Sequence, residues 1–346
     1  MVNNPILGKI YYYIYYYTHI ILFIFFSFIS ILFESFLIYV FNYFKLGNFS
    51  YILAINAGFI VNFLLNINFN FLIKNYKKIP TFLIFLTISY VSIFIQFNIN
   101  EFIAISSENY LYNRISSTLF IFIFIVFLHT KYTFKDQKKI GVAAYANFQD
   151  NIIKIFNKVN EFPDFIHVDL VDNSFNKNAS KIDYQIFENV KLLWPHKEVH
   201  LHIMSKNPLK HINKVSNNVD VVIIHNNSIN KKKAIEKCKK IGLKVGLCFF
   251  YNETIDKKNI LYEKIDFFGV LTIKRPGVSG QKFQEKSKDL IQAINNQKSP
   301  WQKLFIDGGL NNNLIKHLNA DYFVSASNLL LNNNPFFQFF KIRVRS

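Results

Sequence analysis

The chain has 346 residues, of which 51% are hydrophobic, and its 40 Phe and 19 Tyr exceed what one globular core absorbs, so a bilayer is expected to take part of them. The formal charge of +18 comes mostly from Lys scattered through a sequence rich in Asn, Ile, Phe and Lys, the profile of AT-biased coding; nucleic-acid binding is therefore discounted, and attraction to anionic lipid accounts for the charge. Cys238 and Cys248 have no CxxC spacing; they indicate neither a disulfide framework nor a thiolate metal site and fit a reducing compartment.

Residues 1–134 carry only Glu34, Glu101 and Glu108 as acids, whereas nearly all Asp and His follow residue 135, so a domain boundary is expected near 135–139. Four windows, 18–41, 51–73, 79–98 and 112–130, meet the requirement of about 20 mainly apolar residues for a helix that spans a hydrocarbon core. The first is too long for a cleavable signal peptide and lacks a small-residue cleavage site. Tyr residues at 11–17 precede it, where amphipathic rings favour the headgroup level. Lys74, Lys77 and Lys78 lie between spans two and three, and Lys131, Lys135, Lys138 and Lys139 follow span four, against Lys45 and Arg114 on the other side. The positive-inside rule then places both termini and the C-terminal half in the cytoplasm. This predicts an all-α transmembrane four-helix bundle over 1–135.

Within span two, Asn62, Asn66 and Asn70 recur at i, i+4 and i+8 and form one polar stripe. Amides in lipid need partners, and two readings stand: hydrogen bonding between helices, or a polar path for a ligand. Glu34 inside span one is a site candidate on the same ground, because an ionisable group at that depth is costly. The segment Asn62-Phe63-Leu64-Leu65-Asn66 and the ending Lys131-Tyr132-Thr133-Phe134 resemble the GtrA family of four-span proteins. That resemblance covers about 1–135 and implies handling of polyprenyl-phosphate-linked sugars for surface polysaccharides.

From residue 140 short apolar runs alternate with amphipathic segments: 140–145, 164–170, 198–203, 219–225, 244–249, 267–273, 302–307 and 320–325. Eight strand–helix repeats without hairpin signals predict an α/β domain of the (β/α)8 TIM-barrel class over 140–346, with its chemistry at the C-terminal strand ends. A period of two puts His167 and Asp169 of strand two on the same side, and likewise His200 and His202 of strand three; strand seven ends in Asp307. His167, Asp169, His202 and Asp307 together form a mixed N/O set for one divalent metal such as Zn, Fe(II) or Mn. Gly277, Val278, Ser279 and Gly280 after strand six, Gly308 and Gly309 after strand seven, and Ala326 and Ser327 after strand eight are candidates for a backbone phosphate grip. Metal beside phosphate points to a sugar phosphate.

The runs His167 to Asp172, His202 to Pro208, Pro276 to Phe283, Asp307-Gly308-Gly309 and Asp321 to Ser327, in that order, resemble the ribulose-phosphate 3-epimerase family over essentially all of 140–346. The resemblance implies that His167, Asp169, His202 and Asp307 hold the metal and that Asp169 and Asp307 are the acid–base pair. One carboxylate would take the C3 proton of a ketose phosphate while the metal polarises the carbonyl, and the other would reprotonate the opposite face. Departures fall at Val142, where the family carries a substrate-contacting Ser, and at Val171, where it carries Met. The family's Gly, His and Pro segment reads Asn173 to Asn178, its Gly-Phe-Gly-Gly loop reads Gly277-Val278-Ser279-Gly280, and its Gly-Ser pair reads Ala326-Ser327. The expected function is a membrane-tethered, metal-dependent epimerase of a ketose phosphate, with a lipid-linked sugar or surface-polysaccharide pathway as partner. The alternative is a translocation or accessory protein whose barrel only senses a sugar phosphate.

Overall fold

The structure is a computed structural model that describes residues 5–47, 49–71, 78–102, 110–134, 138–145, 152–256, 260–278 and 280–344. The chain divides into two compact units whose main segments are Tyr13–Gln137 and Lys138–Ile342.

The first unit contains most of α1 (Pro5–Tyr43), with α2 (Phe49–Phe69), α3 (Lys78–Phe102) and α4 (Tyr110–Leu128), the last running into a π-helical turn, His129–Thr133. Three stretches are long and apolar enough to cross a membrane: Tyr17–Tyr43, Phe49–Phe69 and Ile79–Asn98. The fourth contributes a shorter apolar stretch, Ile121–Thr133, so the described residues carry three such helices rather than the four expected. Phe23, Phe59, Phe63, Phe71, Phe85, Val126 and Phe134 form the interior, whereas Phe94 and Ile123 are exposed.

The Asn stripe is an amide ladder tied to α1. Asn62 Nδ2 donates to Ser27 Oγ at 3.2 Å, Asn66 Nδ2 to Asn62 Oδ1 at 2.8 Å, and Asn70 Nδ2 to Asn66 Oδ1 at 2.9 Å and to the His19 carbonyl at 2.9 Å. This is the helix-to-helix reading of the stripe. Glu34 is buried and lies against Gly58 of α2, where an added Cβ would stand 3.1 Å from its Oε2. It lines a cavity of about 70 Å³ with Asn62, Ser89, Gln96 and His129.

The second unit is a closed barrel of eight parallel strands in sequential order: β1 (Lys139–Tyr145), β2 (Phe165–Val171), β3 (Glu198–Met204), β4 (Val221–His225), β5 (Lys244–Phe250), β6 (Phe267–Leu271), β7 (Lys303–Asp307) and β8 (Tyr322–Ser325). Outside them run α5 (Ile152–Val159), α6 (Ile186–Leu193), α7 (Leu209–Val215), α8 (Lys231–Lys240), α9 (Ser287–Gln297), α10 (Asn312–His317), α11 (Ser327–Leu330) and α12 (Pro335–Val344). Among the described residues the β5–β6 connection holds only a 3₁₀ turn, Ile260–Lys264, where the repeat expects a helix. The interior is packed by Phe165, Val221, Ile223, Cys248, Phe267, Phe305 and Tyr322. The outward residues Ile166, Val168 and Leu170 are equally buried, as expected of a parallel sheet covered on its outer face.

At the N-terminal end of the barrel, Glu198 Oε1 accepts from Lys244 Nζ at 2.7 Å, and its Oε2 lies 3.2 Å from His200 Nε2 and accepts from the Tyr322 hydroxyl at 3.3 Å. His200 therefore faces inward a layer below the mouth. Burial by itself would raise the Glu198 pKa, but the hydrogen bonds and charges of His200 and Lys244 outweigh it and hold the carboxyl below its ordinary range. A depressed folded pKa gives stability that is present above the unfolded value and is lost as pH falls below it. Glu198→Gln is accordingly expected to cost about 2 kcal/mol at pH 7, and the difference from the parent should shrink as pH falls below about 4. Urea denaturation followed by Trp fluorescence checks this, because both tryptophans, Trp194 and Trp301, lie in the barrel unit. A constant difference across pH would overturn the assignment.

Candidate active and metal site

The tetrad expected from the strand pattern is assembled at the C-terminal mouth. Parallel pairing sets Asp169 beside His202, and partners in register point to the same face of the sheet. His167 Nε2 lies 3.3 Å from Asp169 Oδ1 and 3.7 Å from Asp307 Oδ2. His202 Nδ1 lies 3.2 Å from Asp169 Oδ1 and 3.4 Å from Asp307 Oδ2, and the two ring nitrogens are 3.3 Å apart.

These separations test the set as a metal shell. Bonds of about 2.1 Å from nitrogen and carboxylate oxygen to a tetrahedral ion place neighbouring donors about 3.4 Å apart, and the five distances scatter around that value. The donors are two imidazoles and two carboxylates, all buried or nearly so. His167 Nδ1 has no hydrogen-bond partner among the described residues. The residues present therefore fit a divalent cation. Burial alone would raise the Asp169 pKa, but the hydrogen bonds of His167 and His202 hold it below the usual carboxylate range, so it stands ionised.

A cavity of about 440 Å³ opens beside the tetrad. Asp169 and Asp307 line it, and so do Gly277, Val278, Gly280, Gly308, Gly309, Ala326 and Ser327. Of the residues expected to grip phosphate, Ser279 lies outside the described residues; the others share this one cavity. His167 and His202 do not line it: they lie fully buried beneath. The two carboxylates come from β2 and β7, and Ala143 of β1 with Val324 and Ser325 of β8 line the wall between them. A molecule seated there meets both carboxylates. Gly309 has a φ of +64° and an added Cβ would lie 2.4 Å from the Phe283 backbone nitrogen, so the close approach of the β7 and β6 loops requires glycine.

One expectation is corrected. Val142 does not line the cavity: it pairs with Ile166 and is buried on the helix side, whereas Ala143 and Tyr145 pair with His167 and Asp169 and point inward. The strand-one residue facing the site is thus Ala143, which has no hydroxyl, and two residues further Tyr145 supplies one. An added Cβ at Gly277 would stand 2.1 Å from the Tyr145 oxygen, so this ring reaches across the mouth to the β6 loop. Burial, reinforced by the Asp169 charge, pushes its pKa up to about 12. Val171 pairs with Met204, and Met204 lines the cavity. Tyr145 and Met204 were missed at the sequence level, although a period of two through β1 and β3 marks both. Glu34, Asn62, Asn66 and Asn70 lie in the other unit, where Glu34 and Asn62 border the small polar cavity and Asn66 and Asn70 are engaged in the ladder.

Residues 139–330 match the model described as the ribulose-phosphate 3 epimerase family. No curated protein matches the chain. Among solved structures, 3-hexulose-6-phosphate synthase from Salmonella typhimurium is similar at 20% identity and a TM-score of 0.46, over 59% of this chain and 96% of its own. For 3-keto-L-gulonate-6-phosphate decarboxylase from Vibrio cholerae the values are 11% identity and 0.45, over 59% and 95%. For the tryptophan synthase A-subunit from Pyrococcus furiosus they are 14% and 0.46, over 60% and 97%.

Proposed function

Since the chain belongs to the ribulose-phosphate 3 epimerase family through residues 139–330, we propose that it is a membrane-anchored, metal-dependent epimerase of a ketose phosphate. The observation that carries this reading is the tetrad beside the glycine-lined cavity, whose lining includes both carboxylates. His167, Asp169, His202 and Asp307 hold the ion. A bound divalent cation supplies Lewis-acid polarisation of a carbonyl oxygen.

The chain's own residues do the rest. Backbone N–H groups around Gly280, Gly309 and Ser327 hold the phosphate at the far end of the cavity, which orients the sugar carbons toward the tetrad. One aspartate removes the proton at C3 and the other delivers a proton to the opposite face, so configuration inverts without a covalent link to the protein. Leu271, Ile273 and Val324 keep the cavity wall apolar and exclude water from the carbanion-like intermediate.

Residues 1–135 form the membrane domain of this reading and 140–346 the catalytic one. The resemblance of the Asn62–Asn66 and Lys131–Phe134 segments to the GtrA family supports coupling of residues 1–135 to polyprenyl-phosphate-linked sugars, and the loop lysines support a cytoplasmic barrel.

The full chain, purified in detergent, stripped by chelator and reloaded with Zn²⁺, Mn²⁺ or Fe²⁺, is expected to convert D-ribulose 5-phosphate and to exchange its C3 hydrogen with D₂O. Proton NMR reads both. Failure to convert or exchange any pentulose or hexulose phosphate with any of these ions would sink the proposal.

A further inference from the structure

The tetrad uses only one nitrogen of His202. The other, Nε2, faces away from it and lies 2.9 Å from His225 Nε2. Together with Cys248 Sγ, donor atoms of these three residues all lie within 4.8 Å of one another. His202 comes from β3, His225 from β4 and Cys248 from β5, with His225 and Cys248 directly paired in register. All three side chains are wholly buried. The imidazoles lie nearly parallel, at 16°, and His225 Nδ1 has no hydrogen-bond partner among the described residues.

Two imidazoles in the interior of a barrel cost free energy that apolar residues of similar size would not, and a thiol beside them adds a soft donor. The four-residue set beside them is a complete shell without either; His225 can accept a hydrogen bond from the outward His202 nitrogen, but that set accounts neither for Cys248 nor for the unpartnered His225 Nδ1. Two nitrogens and a sulfur are instead a borderline-soft donor combination of the kind that suits Zn²⁺.

We propose that His202, His225 and Cys248 form a second divalent-metal site, softer than the first and joined to it through the His202 imidazole. Binding displaces the Cys248 thiol proton and the remaining His202 N–H proton, both to solvent. One dication, one thiolate and one bridging imidazolate sum to zero charge, which is what a fully buried site requires. Bonds of about 2.1 Å set neighbouring nitrogens about 3.4 Å apart, so the two imidazoles move apart slightly on loading. Phe175 and Phe250 cover His225, with ring centroids 5.0 and 4.7 Å from it; both are partly exposed, and the ion enters past them from the mouth. The second ion clamps the His202 ring from behind and so positions a ligand of the first.

The inference shares His202 with the proposed catalytic centre but needs no turnover to be tested. The full chain in detergent, freed of metal and titrated with Co²⁺, is expected to bind two equivalents and to develop a thiolate-to-cobalt charge-transfer band in the near ultraviolet. Cys248→Ala should bind one equivalent with no band; Asp307→Asn should keep the band. A parent chain that binds one equivalent without the band overturns the proposal whether or not any variant folds, and a band that persists in Cys248→Ala overturns it as well. Absence of epimerase activity, by contrast, leaves the cobalt count and the band unchanged and bears only on the catalytic reading.

Discussion

Replacing Asp307 by Asn is expected to lower turnover of D-ribulose 5-phosphate by about 1,000-fold or more. Asp307 ends β7, is buried, and lines the cavity. The amide keeps the shape of the side chain but neither accepts a proton nor carries charge. Asp169→Asn should cost as much, because inversion needs a proton acceptor on one face and a donor on the other. The two variants separate the acid–base role from the ligand role. A chain that keeps its metal and one carboxylate should still exchange the C3 hydrogen of one epimer with D₂O while failing to convert it. A chain that has lost its metal should do neither, and metal analysis of each variant decides which applies. Turnover retained in either variant would reject the two-carboxylate mechanism.

The second large effect concerns the barrel interior. Gly269 of β6 faces inward, and a Cβ added there would stand 2.0 Å from Cζ of Phe305. Phe305 is fully buried and lies beneath the site, with ring centroids 5.9 Å from His167 and 6.1 Å from His202. The surrounding strands leave the ring no free direction, so Gly269→Ala is expected to cost about 3 kcal/mol. That is a large part of a stability that is typically about 5–15 kcal/mol. Urea denaturation followed by Trp fluorescence measures it. Gly269→Ala combined with Phe305→Leu should recover most of the loss, since the pair is in contact and its effects are not additive. An alanine variant as stable as the parent would mean that the ring is not packed as described.

The eight strands were legible because a parallel strand buried on both faces writes a short apolar run, and runs such as 244–249 and 302–307 stand within a residue or two of β5 and β7. The tetrad was legible for a related reason. Alternation along a strand fixes which residues share a face, so His167 with Asp169, and His202 opposite them, followed once the strands were placed. Strand one failed on the same rule: reading its facing residue as Val142 rather than Ala143 is a slip of one position, and a slip of one exchanges the two faces. The fourth expected span stands differently: α4 runs unbroken over Tyr110–Leu128, and among the described residues its apolar stretch is Ile121–Thr133, shorter than the other three.

The two cysteines mark the limit most clearly. Their spacing carries no metal signature, and 10 residues of separation between Cys238 and Cys248 say nothing of what either meets in space. Cys238 is buried on α8, while Cys248 points into the barrel beside His225. The sequence by itself determined the apolar half, the barrel, the inward phase of β2, β3 and β7, and the glycines around the cavity, because each depends on local periodicity or on a conformation that only certain residues adopt. Only the tertiary structure decided that Tyr145 crosses the mouth to Gly277, that the Asn ladder is anchored on α1, and that both nitrogens of His202 face donor clusters. Those contacts join residues distant in sequence, and their distances depend on how the barrel closes and how the helices pack rather than on any pattern along the chain.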